Sequence, residues 1–306
     1  MFEYLIKKIK KQKFQNKYYS YIYIENFFSK NHFNRLINDQ QIAIKAKNDQ
    51  NLIENIKNME YEPIAFPGSI TNIKDYLYWH KHKHKNHLNI NTCSGQGVTF
   101  RNKSLKSEFL KSLDNFFKSK KFQTTLINKF NLKSKFNYDY GIQKYLDGYE
   151  ISPHPDRKDK ALTFMININP YHASEKEKIH TDYLEFKDEF KYIAEYWKFN
   201  NYSDTCWVPW NWCNTFFTQN KNNTCVIFSP SHNTLHGVKL DYNHLNFQRT
   251  QIYGNFWKKK INIKNRPVWS DYVIKEKGNE YNFNIIQRFK KGLLNKKFLL
   301  GAKREN

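Results

Sequence analysis

The chain has little cysteine, proline or glycine for its length: 306 residues include 4 Cys, 8 Pro and 10 Gly. The cysteines show no close pairing, which excludes a disulfide-stapled scaffold. No run reaches the roughly 18 apolar residues that a membrane-spanning helix needs. Residues 1–13 alternate apolar and lysine residues and lack the apolar centre of a signal peptide. The sequence therefore predicts a cytoplasmic protein without a membrane span.

Acidic residues are scarce beside basic ones, with 28 Asp and Glu against 51 Lys and Arg, a formal net charge of +23. Such an excess fits nucleic acid or an anionic surface as a partner. The basic residues are spread along the chain, however, and Lys, Asn, Ile, Phe and Tyr are abundant throughout, as an AT-rich genome would produce. Charge alone therefore leaves nucleic acid open as a partner without favouring it.

Aromatic residues are abundant, with 25 Phe, 21 Tyr and 7 Trp. This composition excludes a disordered chain, which would contain few aromatics. The length suffices to bury a sizeable core. We find no internal repeat and no flexible linker, so the simplest expectation is a single domain over residues 1–306.

The patterns along the chain divide this domain into three parts. Residues 1–136 form an N-terminal layer, with a strand at 19–28, a helix capped by Ser29 and an apolar helical face from Ser104 to Phe130. Residues 40–60 are predicted to be helical, and residues 61–100 to be loops with short strands. Residues 137–258 form the β-rich core, and residues 259–306 form an extension with a helical pattern at 270–300. The core strands are predicted at 138–146, 161–168, 183–187, 224–228, 235–240 and 248–257. The sequence thus predicts a mainly β protein with flanking helices, including an N-terminal helical layer and a C-terminal helix.

The most informative pattern is His154 and Asp156, which are separated by one residue. On a strand, residues i and i+2 point to the same face, so residues 151–157 are expected to be extended. An imidazole and a carboxylate on one face supply two arms of a metal site. Two His and one carboxylate form the facial triad of non-haem Fe(II) oxygenases. The pattern predicts an Fe(II) site that needs one further His.

His236 is the favoured third ligand, because it follows a run of strand residues and Gly-Val-Lys-Leu continues a strand after it. His232 and His244 lie near the same turn and compete with it. Thirteen residues after His236, Arg249 opens an alternating strand. A buried guanidinium needs a carboxylate partner and can hold it bidentately. The distal carboxylate of 2-oxoglutarate is such a partner.

Two other histidine patterns are weaker candidates. His180 and Asp182 repeat the His-x-Asp spacing, but the preceding residues 172–179 are polar and predict a solvent-facing loop. The run WHKHKHKNH, residues 79–87, offers four histidines to a metal. Interleaved lysines repel a cation, so a solvated loop is favoured there. The histidines of this run are His80, His82, His84 and His87.

The order of these residues resembles the prolyl-hydroxylase-like 2-oxoglutarate/Fe(II) oxygenases. Their pattern has a Tyr-x-x-Gly strand before His-x-Asp, a Thr-containing strand after it, a turn with Phe and Ser before the distal His, and then a basic residue. Residues 21–37 also resemble the strand and capped helix that open such domains. The matching residues are Tyr145, Gly148, His154, Asp156, Thr163, Phe228, Ser231, His236 and Arg249.

The resemblance implies a double-stranded β-helix, a jelly-roll, cupin-like core with iron at its mouth. By carry-over, His154, Asp156 and His236 bind Fe(II) and are the catalytic centre, and Arg249 holds the distal carboxylate of 2-oxoglutarate. The other cosubstrate-binding candidates are Tyr145, Gln251 and Thr163. The implied activity is a dioxygenase that uses O2 and hydroxylates a C–H bond of a peptidyl, amino-acid or other small-molecule substrate. Succinate and CO2 are the co-products, and ascorbate is a supporting reagent.

The chain departs from the family pattern at three places. Asn167 stands where many relatives have Tyr, and Gln251 stands where many have Ser two residues after the basic residue. Residues 171–222 form a long connection that carries the aromatic cluster WVPWNW, residues 207–212. That cluster is expected either to line a substrate entrance or to pack against the barrel.

Two other function classes remain open at this point. One is a basic nucleic-acid-binding protein, or an oxygenase that acts on nucleobases, which needs a basic groove leading to the iron. The other is a barrel that only binds. The complete triad and Arg249 favour the enzyme, while substrate and oligomeric state are not given by the sequence.

Overall fold

A computed structural model of the chain describes residues 1–65, 69–82, 96–200, 203–259 and 268–271. All of them lie in one unit, Met1–Val273. Among these residues, no helix has both the length and the apolar character needed to cross a membrane. The C-terminal helix predicted at 270–300 falls outside the described residues except at positions 270 and 271, which belong to a strand instead.

The described helices and strands alternate along the chain. The helices are α1 Glu3–Lys11, α2 Lys30–Ile37, α3 Asp49–Asn58, α4 Ile73–Lys81, α5 Glu108–Lys118, α6 Lys120–Lys129 and α7 Lys191–Phe199. The strands are β1 Tyr21–Ile24, β2 Tyr61–Pro63, β3 Thr99–Asn102, β4 Phe136–Tyr145, β5 Glu150–His154, β6 Lys160–Asn167, β7 Thr181–Phe186, β8 Ser203–Trp207, β9 Cys213–Gln219, β10 Thr224–Phe228, β11 His236–Lys239, β12 Arg249–Lys258 and β13 Val268–Asp271.

Serine caps determine where several helices begin. The hydroxyls of Ser29, Ser107 and Ser119 each accept a hydrogen bond from the backbone N–H three residues later, which satisfies a donor that the helix leaves unpaired. The predicted cap at Ser29 is therefore confirmed. Ser119 has an extended backbone, so the helical face expected from 104 to 130 consists of two helices, α5 and α6.

Most of the strands belong to two antiparallel sheets. The larger sheet has seven strands in the order β1-β10-β6-β12-β4-β3-β2, and the smaller has four in the order β5-β11-β7-β9. Strands β8 and β13 form a separate parallel pair. The prediction of a mainly β protein with flanking helices is confirmed. The sequence patterns missed α1, α4, α7, β8 and β9, and only residues 49–58 of the segment 40–60 are helical.

Alternation along the central strands separates the apolar core from the space between the sheets. Leu162, Phe164 and Ile166 of β6 lie in the core that the N-terminal helices cover. Met165, on the opposite face of the same strand, packs against Tyr183 of the smaller sheet. Burying one such Phe stabilises the fold by about 1.5–3 kcal/mol. The larger sheet therefore has an apolar face towards the helices and a mixed face towards the site.

Lys144 of β4 is buried, and no acidic side chain among the residues that the structure describes forms an ion pair with it. Its ammonium donates hydrogen bonds to the Ile42 carbonyl at 2.5 Å and to the side chains of Gln248 and Thr250 at 2.9 Å each. Burial lowers the pKa of Lys144 from 10.5 to about 7. The folded protein therefore binds a proton at this amine less tightly than the unfolded chain does.

We expect the free energies of unfolding of the wild type and of Lys144→Met to depend differently on pH. Between pH 7 and 10.5 the unfolded wild type holds more protons than the folded one, so its free energy of unfolding rises with pH relative to Lys144→Met. The slope approaches ~1.4 kcal/mol per pH unit. Urea unfolding at several pH values measures this difference, with the exposed Lys57→Met as control. A flat profile would mean that Lys144 titrates normally in the fold.

Candidate metal centre and cosubstrate site

Strands β5 and β11 bring two imidazoles together. His154 ends β5 and His236 begins β11, and the two are direct register partners. Their ring centroids lie 4.3 Å apart. Asp156 completes the group, with its carboxylate oxygens 3.6 Å from Nε2 of His154 and 3.9 Å from Nε2 of His236. Three potential ligand atoms therefore converge in a buried position.

Asp156 reaches this position through a turn, which corrects the expectation of an extended segment from 151 to 157. Strand β5 ends at His154, and Asp156 has a φ of 67° in the left-handed region. Aspartate tolerates this conformation better than most residues. The turn is held by the Thr234 hydroxyl, which donates to the Pro155 carbonyl at 3.2 Å.

Backbone carbonyls orient both imidazoles. Nδ1 of His154 lies 2.8 Å from the Ser152 carbonyl, and Nδ1 of His236 lies 3.2 Å from the Thr234 carbonyl. Each Nδ1 therefore carries the proton, and each Nε2 presents its lone pair towards Asp156. Burial, reinforced by His154, lowers the pKa of His236 to about 3. A neutral imidazole with a free Nε2 is the form that binds a metal.

Lys160, at the start of β6, is a site residue that the sequence patterns missed. Its ammonium lies 2.5 Å from one oxygen of Asp156 and 2.8 Å from the Tyr253 hydroxyl. Thr163 donates to the other oxygen of Asp156 at 2.9 Å. Burial alone would raise the pKa of Asp156, but Lys160 and His236 hold it well below its usual range. The carboxylate is therefore ionised and fixed.

Arg249, at the start of β12, is buried among polar and aromatic side chains. It lies opposite Tyr145 of β4 and is 4% exposed. Its guanidinium donates to the Ile179 carbonyl, to the Thr181 hydroxyl at 2.9 Å and to the Gln251 side chain at 3.1 Å. These acceptors are neutral, and Nε has no partner. No acidic side chain in the described ranges forms an ion pair with Arg249.

Aromatic rings enclose the guanidinium. The Cζ atom of Arg249 lies 5.1 Å from the ring centroid of Tyr145, a distance typical of a cation–π contact. Tyr149, Tyr183 and Tyr242 complete a tyrosine-rich environment, and burial lowers the pKa of Arg249. A buried cation whose hydrogen-bond acceptors are neutral attracts an anion.

The remaining predicted cosubstrate residues divide between the two ends of the site. Tyr145 and Gln251 contact Arg249, whereas Thr163 contacts Asp156. Gln251 also donates to the Asn167 side chain at 2.8 Å. Asn167, the departure from the family's Tyr, therefore supports Gln251. The roles predicted for Tyr145, Gln251 and Thr163 in cosubstrate binding stay predictions.

The aromatic cluster at residues 207–212 packs beside the metal centre. The ring of Trp207 lies 4.7 Å from that of His154. Trp210 donates from its indole to Glu150 at 2.8 Å, and Trp212 stacks on Phe190 at 4.6 Å. These contacts favour the packing role that the sequence left open, and Trp207 shields one side of His154.

The competing histidines lie elsewhere. The solvent-facing loop expected for His180 and Asp182 is wrong in part, because β7 begins at Thr181 and Asp182 accepts a hydrogen bond from Thr218 at 2.6 Å. His232 lies 3.6 Å from a Glu195 carboxylate. Neither His180 nor His232 joins a three-residue group of metal-ligating atoms within the described part of the chain.

A second group of metal-ligating side chains consists of Asp49, His80 and His244. His80 belongs to the histidine-rich run, and His244 is the other competing histidine. His84 and His87 of that run lie outside the described residues. Cys206, Cys213 and Cys225 are buried free thiols, as expected, and Cys93 lies outside the described residues.

No family model matches the chain, and no match was found among curated proteins. Solved structures do match it. A prolyl-4-hydroxylase from Pseudomonas putida is 8% identical, with a TM-score of 0.40, and the match covers 85% of this chain and 100% of that one. A prolyl hydroxylase from Trichoplax adhaerens, solved with a peptide fragment of a hypoxia inducible factor, is 10% identical, with a TM-score of 0.43 and coverage of 84% and 90%. An oxidoreductase of the 2OG-Fe(II) oxygenase family from Burkholderia pseudomallei is 9% identical, with a TM-score of 0.31 and coverage of 74% and 89%.

Proposed function

We propose that this protein is a 2-oxoglutarate- and Fe(II)-dependent dioxygenase. Its two antiparallel sheets would form the double-stranded β-helix of a single oxygenase domain. His154, Asp156 and His236 would hold the iron. The observation that carries the proposal is the occurrence of this triad together with Arg249, a buried guanidinium whose hydrogen-bond acceptors in the described part of the chain are neutral.

The side chains at this site fit both Fe(II) and 2-oxoglutarate. Two imidazole nitrogens and one carboxylate are a donor set that suits Fe(II) and leaves coordination positions open. The unpartnered Nε of Arg249 marks a missing acceptor in a buried place. A dicarboxylate such as 2-oxoglutarate offers one carboxylate to the metal end and the other to the guanidinium.

The side chains around these groups have distinct tasks. When bound, Fe(II) supplies the oxidising chemistry that consumes O2 and 2-oxoglutarate and hydroxylates a C–H bond, with succinate and CO2 as co-products. Arg249 binds the distal carboxylate, and Thr181 and Gln251 fix the orientation of its guanidinium. Lys160 and Thr163 fix the Asp156 carboxylate. Trp207 excludes water from one side of His154.

A cleft beside the metal-binding turn is the proposed substrate entrance. It has a volume of about 410 Å³, and its lining includes Phe14, Tyr19, Phe130 and Thr234. Thr234 holds the Pro155 turn and lies two residues before His236. Lys129 also lines the cleft, and these rings, hydroxyls and the ammonium suit a partly apolar group that carries polar atoms. The proposed substrate is accordingly a peptidyl or small-molecule group, and the motif resemblance favours an amino-acid side chain.

We expect the purified protein, supplied with Fe(II), 2-oxoglutarate and ascorbate in air, to release succinate at least slowly without substrate. Mass spectrometry of succinate measures this turnover, and a reaction with a metal chelator is the control. Calorimetry measures 2-oxoglutarate binding separately. Absence of both succinate and 2-oxoglutarate binding would contradict the proposal.

A further inference from the structure

A second group of imidazoles and carboxylates lies outside the triad and is not used by the proposed reaction. Asp49 is the first residue of α3, and His80 lies in the last turn of α4. His244 lies between β11 and β12, and Asp147 lies between β4 and β5. Four separate segments therefore contribute to one cluster, which shares no residue with the triad.

Asp49 is the centre of this cluster. One of its oxygens lies 2.6 Å from Nδ1 of His80, and the other lies 3.0 Å from Nε2 of His244. The two imidazole rings are nearly parallel, with centroids 4.5 Å apart. One ligand atom from each of the three residues lies within 4.8 Å of the others. The same donor set, two imidazoles and one carboxylate, thus occurs twice in this chain.

In each imidazole, the ring nitrogen that does not face Asp49 also lies close to a polar side chain. Nε2 of His80 lies 3.3 Å from Asp147, and Nδ1 of His244 lies 3.1 Å from the Tyr76 hydroxyl. Asp147 is fixed in turn by the Tyr242 backbone N–H at 3.0 Å. Histidines that bind metals typically donate their other ring N–H to a carboxylate or a similar acceptor, which sets the tautomer and the ring orientation. Such outer partners are what a metal centre requires beyond its ligands.

The cluster is closed on one side and open on the other. The side chain of His244 is 1% exposed, whereas those of His80 and Asp49 are 21% and 26% exposed. An ion can therefore enter from solvent, and a water molecule can occupy a remaining position. Three protein ligands with one open position are typical of tetrahedral zinc sites that keep a water ligand.

We propose that Asp49, His80 and His244 form a second metal centre, for a zinc-class divalent cation, that is independent of the iron site. The centre joins the N-terminal helices α3 and α4 to the core. His244 lies five residues before Arg249, and Asp147 lies two residues after Tyr145. A cation here therefore fixes both segments that lead to the Arg249–Tyr145 pair.

The test uses the full chain with His236→Ala as background, so that zinc cannot use the complete triad. We expect this protein, after incubation with Zn²⁺ and gel filtration, to retain one zinc per chain by plasma mass spectrometry. Adding Asp49→Asn, which preserves side-chain size, should remove that zinc. Adding His82→Ala should not, because His82 belongs to the same run as His80 but is exposed and lies outside the group.

Two further measurements test the proposal: thermal unfolding with Zn²⁺ and the visible spectrum of bound Co²⁺. Zn²⁺ should raise the melting temperature of the background protein but not that of its Asp49→Asn derivative. Co²⁺ bound to the background protein should show the intense visible absorption of four-coordinate cobalt. Absence of a retained zinc, or loss of zinc in the His82→Ala variant with retention in Asp49→Asn, would overturn the proposal. Circular dichroism confirms that each variant is folded, and none of these outcomes depends on succinate formation.

Discussion

Asp156→Ala is expected to abolish Fe(II)-dependent succinate formation, whereas Asp182→Ala should leave it nearly intact. Asp156 is the only carboxylate in the triad, and two imidazoles alone hold Fe(II) poorly. Asp182 has the same His-x-Asp spacing but lies on β7 with Thr218 as its hydrogen-bond partner. Losing that hydrogen bond costs about 1 kcal/mol of stability. Succinate release from both variants measures the difference.

The Asp156→Ala substitution also changes the charge of the buried site and therefore its stability. Removing Asp156 leaves Lys160 buried without its carboxylate, and breaking a buried ion pair in this way costs about 3–5 kcal/mol. His236→Ala avoids this problem, because it keeps the Lys160–Asp156 pair while removing one ligand. We expect His236→Ala to be folded by circular dichroism and inactive. An active Asp156→Ala protein together with an inactive Asp182→Ala protein would show that the metal assignment is wrong.

Arg249→Ala is expected to weaken 2-oxoglutarate binding on the order of 100-fold or more, the range found when one partner of a buried charge pair is truncated. Metal affinity should hardly change, because Arg249 contacts none of the triad residues through a hydrogen bond. Arg249→Lys should also weaken binding, since a point charge does not reproduce a bidentate fork. Calorimetry with 2-oxoglutarate and a separate metal titration measure the two affinities.

Stability distinguishes a cosubstrate-binding Arg249 from a structural one. In the absence of cosubstrate the guanidinium has only neutral acceptors and is desolvated, so Arg249→Met should not lower the free energy of unfolding of the cosubstrate-free protein. Arg35→Ala, an exposed change on α2, is the control for both measurements. Equal loss of metal and cosubstrate binding, or marked destabilisation of Arg249→Met, would indicate a structural arginine.

The β-rich core was predictable because its signals are local. Strand alternation and aromatic content located β4, β6, β10 and β12 within a few residues, and the Ser29 cap located α2. The insert at 171–222 was harder to interpret, since its strands β8 and β9 and the helix α7 carry polar and aromatic residues in mixed order. Their positions depend on packing against other elements rather than on their own periodicity.

In the candidate site, too, some residues were predictable from local patterns and others were not. Spacing along the chain selected His154, Asp156 and His236, and the structure brings these three side chains together. Strand alternation, the reason first given for the pairing of His154 with Asp156, is replaced by a left-handed turn. Lys160 was missed because a polar run gives no sign of burial. That these residues bind iron stays a prediction for the experiments above.

The sequence by itself determined the mainly β character of this protein, the order of the triad residues and the place of Arg249 thirteen residues after His236. Each of these follows from neighbours in the chain. The tertiary structure alone decided that Arg249 is buried among neutral partners and that Asp49, His80 and His244 meet. Asp49 and His244 are 195 positions apart. Burial and ion pairing depend on contacts between such distant segments, and no local pattern encodes them.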